Sequence, residues 1–204
     1  MVAARVSADR SKAPTAVYSS PFLRTVHTAQ LIALELRQPC VRIEEGLTEW
    51  RTPALWHDSS GNLCETNSSE ALAQRFGTID LDYASLNPAA SEEQTESTED
   101  LSVRCATTVE RLLEYHGRGE NLCLVSHAPC NQAMARHLGD AAAPSNTEWP
   151  MGGVALFART IYEDGSTGSW EMEIGTHHHP PLTYRRMSFD ALKDRRPLPT
   201  PSVG

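Results

Sequence analysis

The chain has 204 residues, 40% of them hydrophobic, with 18 basic against 26 acidic side chains and a net charge of −8. One domain is the default at that length, and the acidic balance argues against nucleic acid or an anionic membrane as the principal partner. No apolar run approaches the roughly 20 residues that span a bilayer and no signal peptide is recognisable, while five cysteines without CxxC spacing (Cys40, Cys64, Cys105, Cys123, Cys130) point to free thiols in a reducing compartment rather than a disulfide framework or a zinc site.

Residues 1–14 are polar and show no sustained period. Ala16–Tyr18 is a short strand candidate, followed by Ser19-Ser20-Pro21-Phe22-Leu23-Arg24. Ser20 has the side chain of an N-cap and Pro21 suits a first helical position. A helix is therefore expected over 21–37, carried by Ala29, Leu31, Ile32, Leu34 and Leu36 and stopped by Pro39. Arg24 would lie one turn inside it, where a guanidinium can reach back past the N-terminus and grip an oxyanion bidentately. Taken as a single arginine, it reads first as a solvated helix residue.

Val41–Ile43 is a further short strand. Just past it, Glu49 stands beside Trp50, either as a partly desolvated acid with a raised pKa or as part of a surface loop. Residues 51–98 read as an insertion, with one short helix around Glu70–Phe76 and an acidic, solvated stretch from Ser91 to Asp100. Leu101, Cys105, Val109, Leu112 and Leu113 then share one helical face, with Ser97 or Thr98 able to cap the start and Gly117 ending the run.

Leu122–Val125 is an apolar run typical of a fully buried strand. Ser126-His127-Ala128 turns the chain into a helix expected from Pro129 to Leu138, with Gly139 in the C-terminal cap position. His127 thus stands at a strand's carboxyl end beside free helix N–H groups, where open α/β sheets bind ligands and anions are favoured. A histidine that merely caps the turn would leave the same local pattern. Val154–Tyr162 and Ser169–Ile174 are β-like runs joined by Glu163–Gly168, a hairpin signal. Three consecutive histidines, His177-His178-His179, cannot all face one ion from a regular element, so no metal and no cofactor is expected. Residues 186–204, proline-rich from Arg195, read as a disordered tail, which leaves 15–185 as the folded domain.

Three blocks occur together in order: Ser19-Ser20-Pro21-Phe22-Leu23-Arg24-Thr25-Val26-His27-Thr28-Ala29, Leu47-Thr48-Glu49-Trp50 and Val125-Ser126-His127-Ala128. Over about residues 15–180 their order and spacing resemble the histidine phosphatase (phosphoglycerate mutase-like) superfamily. The Glu-Trp pair and late hairpin look most like the branch of the T-cell ubiquitin-ligand phosphatases and a phosphatase-like subunit of an RNA polymerase III transcription factor. The resemblance implies a three-layer α/β sandwich with a mostly parallel central sheet. It also implies roles. Arg24 is the second arginine of a phosphate pocket, Glu49 the proton donor to the leaving group, and His127 the second histidine, binding phosphoryl oxygens.

The family's nucleophile is a histidine within Arg-His-Gly on the first strand, and this sequence contains no Arg-His-Gly. His116 and His137 lie in or at the end of expected helices, so neither replaces it. By resemblance, the chain lacks the first strand with its nucleophile, is N-terminally incomplete and is inactive as written. Two classes of function stay open. One is a phosphomonoester hydrolase, forming a phosphohistidine, whose sequence here begins too late. The other is a non-catalytic phosphatase-like domain that acts as a binding or scaffold module. Either would take a phosphorylated small molecule or phosphopeptide, in the cytoplasm or nucleus, without direct contact to nucleic acid or membrane. An open sheet edge left by the absent strand is expected to promote self-association.

Overall fold

A computed structural model describes residues 13–52, 55, 66–88, 95–117, 119–140, 149 and 152–174. The short apolar runs become strands: β1 (Ala16–Ser19), β2 (Arg42–Ile43) and β3 (Leu122–Val125). They pair in the order β2-β1-β3, all parallel, with Ser19 registered against Ile43 on one side and Val125 on the other. β1 is therefore central, and all four of its residues are buried.

The two-residue alternation of the strands sorts side chains into two cores. Ala16 and Tyr18, with Leu122 and Leu124, pack against Leu101, Cys105, Val109 and Leu112 of α3 (Thr98–His116) and Cys130 and Met134 of α4 (Ala128–His137). On the other face, Val17, Cys123 and Val125 pack against Val26, Ala29, Ile32 and Ala33 of α1 (Leu23–Glu35) and Leu72 of α2 (Ser69–Phe76). Helix, sheet and helix make the three-layer α/β sandwich with a parallel sheet. β4 (Leu156–Ala158) and β5 (Glu171–Ile174) form a separate antiparallel pair, and Gly165, at φ 84, sits in their connection. The far edge of β3 has no strand partner among the described residues, and its four residues are only half-buried.

Helix ends follow local chemistry. Ser97 and Asp100 form a reciprocal capping box at the start of α3, and Gly117 ends it. Leu138, Gly139 (φ 98) and Asp140 close α4 with the paired return bonds of a Schellman motif, Gly139 N–H to Arg136 O and Asp140 N–H to Ala135 O.

Helix α1 departs from expectation at both ends. It begins at Leu23 rather than Pro21, with Phe22 in the cap position and no side-chain cap. The Ser20 hydroxyl is engaged elsewhere, and the Thr25 hydroxyl instead ties the first turn to the carbonyls of Ser20 and Phe22. Its far end is set by Arg37, at φ 56, two residues before Pro39. Gln38 N–H returns to Ala33 O there, and Arg37 occupies a position that favours glycine. His177-His178-His179, residues 186–204, Cys64 and most of the polar 1–14 segment lie outside the described residues. Cys40, Cys105, Cys123 and Cys130 are free thiols.

Candidate functional site

Because β1, β2 and β3 run parallel, their carboxyl ends share one edge of the sheet, and the segments leaving them meet there. Arg24 is the second residue of α1, Glu49 follows the 3₁₀ turn Glu45–Leu47, and His127 is the N-cap of α4. Their side chains converge. Arg24 Nη2 lies 3.0 Å from Glu49 Oε2 and 2.9 Å from His127 Nδ1, and His127 Nδ1 lies 3.0 Å from Glu49 Oε2. The other imidazole nitrogen, Nε2, is 2.8 Å from Ser20 Oγ. Phe22 supports the group, its ring edge-on to the imidazole at 5.0 Å and beneath the guanidinium at 4.6 Å. Glu49 and His127 are buried, whereas the Arg24 side chain is 56% exposed.

Electrostatics set the resting charges. Burial pushes the Glu49 carboxyl upward, but hydrogen bonding to His127, the Trp50 N–H and the Arg24 guanidinium outweigh it and hold Glu49 below the usual carboxylate range. The expected raised acid is therefore not present in the resting site. Neither is the surface-loop alternative, since Glu49 is inside. Burial lowers His127, with Arg24 and Arg104 adding to the effect against the opposing pull of Glu49. The site at rest pairs an ionised carboxylate with a neutral imidazole.

The irregular segment carrying Glu49 has no sheet ladder to satisfy its carbonyls, and four in succession are met by side chains instead. Gly46 O and Thr48 O accept from Arg104 Nη1 at 2.8 and 3.0 Å, Leu47 O from Ser126 Oγ at 2.7 Å, and Glu49 O from Arg104 Nη2 at 3.4 Å. Cys130 Sγ adds a contact to Thr48 O. Arg104 also grips Glu96 with Nε and Nη2 at 2.6 and 2.8 Å. Glu96 in turn accepts from Arg51 N–H, and its carbonyl accepts from the Trp50 indole. Just upstream, the fully buried Glu44 carboxylate accepts five hydrogen bonds, from Gly46 N–H, Tyr83, Ser85, Leu86 N–H and Asn87 N–H. Gly46 faces the Thr108 side chain and Asn87 Cβ so closely that no Cβ fits there. Glu49 is thus held by its backbone from behind, with its carboxylate turned to Arg24 and His127.

A family model, the histidine phosphatase superfamily (branch 1), matches residues 2–170. The chain belongs to this superfamily. Among curated proteins it is similar to the ubiquitin-associated and SH3 domain-containing protein A of Mus musculus, 31% identical over 128 residues, which are 61% of this chain and 20% of that protein. The chain therefore spans about a fifth of that relative's length. Among solved structures, the ecdysone phosphate phosphatase of Bombix mori in complex with tungstate superposes with a TM-score of 0.61 at 18% identity, covering 94% of this chain and 75% of that one. Mycobacterial hydrolase 1 gives 0.51 at 16% identity, covering 86% and 81%. At such identities the likeness is one of fold.

In this histidine phosphatase superfamily member, the three side chains singled out from the sequence meet in one place. The remaining described histidines are engaged elsewhere: His116 with Tyr18, His137 with Glu110, and His27 stacked on Phe76. Sequence reading missed Ser20, Arg104, Glu96 and Glu44. Arg104 did leave a signal. It lies on the stripe Leu101, Arg104, Cys105, Thr108, Val109, Leu112, all buried, and a charged residue on the apolar side of a helix needs a partner. Among the described residues no group of three or more His, Cys, Asp or Glu gathers to hold a metal ion, and no helix is long and apolar enough to cross a membrane.

Proposed function

We propose that Arg24, Glu49 and His127 form the phosphate pocket of a phosphatase-type domain acting on a phosphorylated small molecule or phosphopeptide. The observation that carries this reading is the mutual approach of the three groups, within 3.0 Å, at the carboxyl edge of a parallel sheet. Arg24 is the exposed arm and takes the oxyanion bidentately. His127 donates to a phosphoryl oxygen. Glu49 supplies the proton to the leaving oxygen. Its low resting pKa suits this order of events, because an entering dianion draws Arg24 and His127 away and adds a like charge, both of which raise Glu49. With its pKa raised, the Glu49 carboxylate takes up a proton from solvent and delivers it to the leaving oxygen where the ester bond is to break.

Hydrolysis through a covalent intermediate also needs an aligned nucleophile, and no Arg-His-Gly occurs in the sequence. The 204 residues alone should therefore bind a phosphoester without turning it over, since groups that act as a unit lose on the order of 10⁴–10⁶ in rate when one is missing. We place the domain at about residues 15–185, in the cytoplasm or nucleus, supported by the free thiols. The edge of β3 that has no strand partner among the described residues supports self-association by strand pairing.

Tungstate, the anion named with the Bombix mori relative, is the probe. It should bind the chain and protect it thermally, and p-nitrophenyl phosphate should not be hydrolysed above background. Failure of tungstate to bind would sink the pocket. Hydrolysis that disappears in His127→Ala would instead make His127 a catalytic residue in its own right. A chain that binds a phosphopeptide and stays inert when supplied with Arg-His-Gly would favour the binding-module class.

A further inference from the structure

Among the described residues, three contacts hold the Arg24 guanidinium at the pocket, and they differ in what an entering anion does to them. Nη2 meets Glu49 Oε2 at 3.0 Å and His127 Nδ1 at 2.9 Å. The third contact is the ring of Phe22, whose centroid lies 4.6 Å from Arg24 Cζ. An oxyanion competes for the N–H groups that serve the first two. It does not compete for the third, because the face of an aromatic ring carries the negative side of its quadrupole and attracts cations, not anions. Phe22 is therefore the one contact of the three that survives the ligand's arrival.

The ring is firmly mounted. Phe22 is 4% exposed and holds an extended backbone in the cap position of α1. Its carbonyl accepts from Thr25 N–H, Val26 N–H and the Thr25 hydroxyl, and its ring stands edge-on to His127 at 5.0 Å. Serine, threonine, aspartate or asparagine at that position would add a capping hydrogen bond, and α1 has none. The position is given to a ring instead. Arg24, two residues on, needs that platform. Its side chain is 56% exposed, a solvated ion pair is a weak restraint, and ordering a long arginine side chain costs rotamer entropy. Without the ring, the arm divides its time between the pocket and solvent.

We propose that Phe22 is a positioning residue that keeps the Arg24 guanidinium at the pocket both before and after the anion enters. The inference deepens the phosphate-pocket reading and rests on it for its functional consequence. An anion that binds only the state with the arm in place has its apparent affinity reduced by the fraction of chains in that state. Phe22 raises that fraction, and it acts through Arg24. A leucine in its place would fill much of the same space but offer no quadrupole.

Tungstate titration calorimetry tests this in a cycle of the parent, Phe22→Leu, Arg24→Met and the double variant. Phe22→Leu should weaken tungstate about two- to fivefold, the size of one exposed cation–π contact. In the Arg24→Met background the same change should cost nothing further, because the platform has no arm to hold. Equal losses in both backgrounds would mean that the ring acts through packing or through His127, and would overturn the proposal. So would no loss in either. A trifluorinated phenylalanine at position 22 keeps the ring's shape while withdrawing charge from its face. It should reproduce the loss, parent-like affinity would again overturn the proposal, and it decides the matter if Phe22→Leu fails to fold. Proton NMR separates this inference from the pocket reading. In the parent without anion, the ring current of Phe22 should move the Arg24 δ-protons upfield of their unfolded position. That shift without tungstate binding sinks only the pocket, and tungstate binding without the shift sinks only the role of Phe22.

Discussion

Two carboxylate–arginine clusters lie on either side of the Glu49 segment, and they are built to opposite ends. In front, Glu49 meets Arg24 and His127. Behind, Glu96 meets Arg104 and Arg51. Both set one acid against a guanidinium at close range, so the presence of an ion pair does not distinguish them. Unspent hydrogen-bonding capacity does. Arg104 is 9% exposed and commits Nε, Nη1 and Nη2 to Glu96 and to three carbonyls. Arg24 is 56% exposed and engages only Nη2 among the described residues. A saturated cluster holds a backbone in place, and a cluster with donors left over receives a ligand. The arrangement reads as a rigid support behind a working face.

The strongest way to break this comparison is Arg104→Met. Removing one partner of a buried pair strands the other, here Glu96, and leaves the carbonyls of Gly46, Thr48 and Glu49 short of donors. The expected loss is about 3–5 kcal/mol of folding stability, read as a large fall in the urea midpoint. A near-neutral Arg104→Met would mean that the segment holds itself and that the rear cluster is ornament. Arg24→Met should behave in the opposite way. Its exposed ion pair contributes less than about 1 kcal/mol to stability, yet tungstate affinity should drop about tenfold or more when a charge-assisted bidentate donor is lost. If Arg24→Met unfolds the protein while leaving tungstate binding intact, the two clusters have been assigned the wrong way round.

The front cluster was largely legible in the sequence and the rear one was not, for a physical reason. Arg24 and His127 sit at strand-to-helix turns, where apolar runs, a proline and a change of period mark the place within a few residues. Parallel strands then bring such turns to one edge. The supports of the Glu49 segment come from 46 to 82 residues away along the chain, from Glu96, Arg104, Ser126 and Cys130. They answer carbonyls rather than side chains, so nothing in the local pattern of 46–49 calls for them. Ser20 was visible but misread. Its residue type fits an N-cap, and only the tertiary position of His127 draws its hydroxyl away, so that α1 starts two residues late. Arg37 was misread in the same manner, since the turn that ends α1 uses a conformation the sequence reserves for glycine.

Acid separates the two clusters with the smallest effect. His127 has a folded pKa depressed by burial, so the unfolded chain takes up that proton first. Stability is fully present above the unfolded value of about 6.5 and is lost as pH falls from there through the lower folded value. Glu96 is also depressed: burial raises it, but its bonds to Arg104 and the charge of Arg51 prevail. Its contribution persists above the unfolded value of about 4.3 and fades only as pH drops through the folded one. The pocket should therefore weaken first and its support later. His116, likewise lowered by burial with Arg42 nearby, has the same sign as His127 and must be subtracted. Comparing the urea midpoint at about pH 7 and about pH 5 in the parent and in His127→Gln isolates the difference. The parent should lose more stability than the variant over that interval, because only the parent carries the His127 ring whose folded pKa is depressed. Equal losses would mean that the His127 ring titrates as it does in the unfolded chain, and the neutral imidazole at the centre of the front cluster would have to be given up.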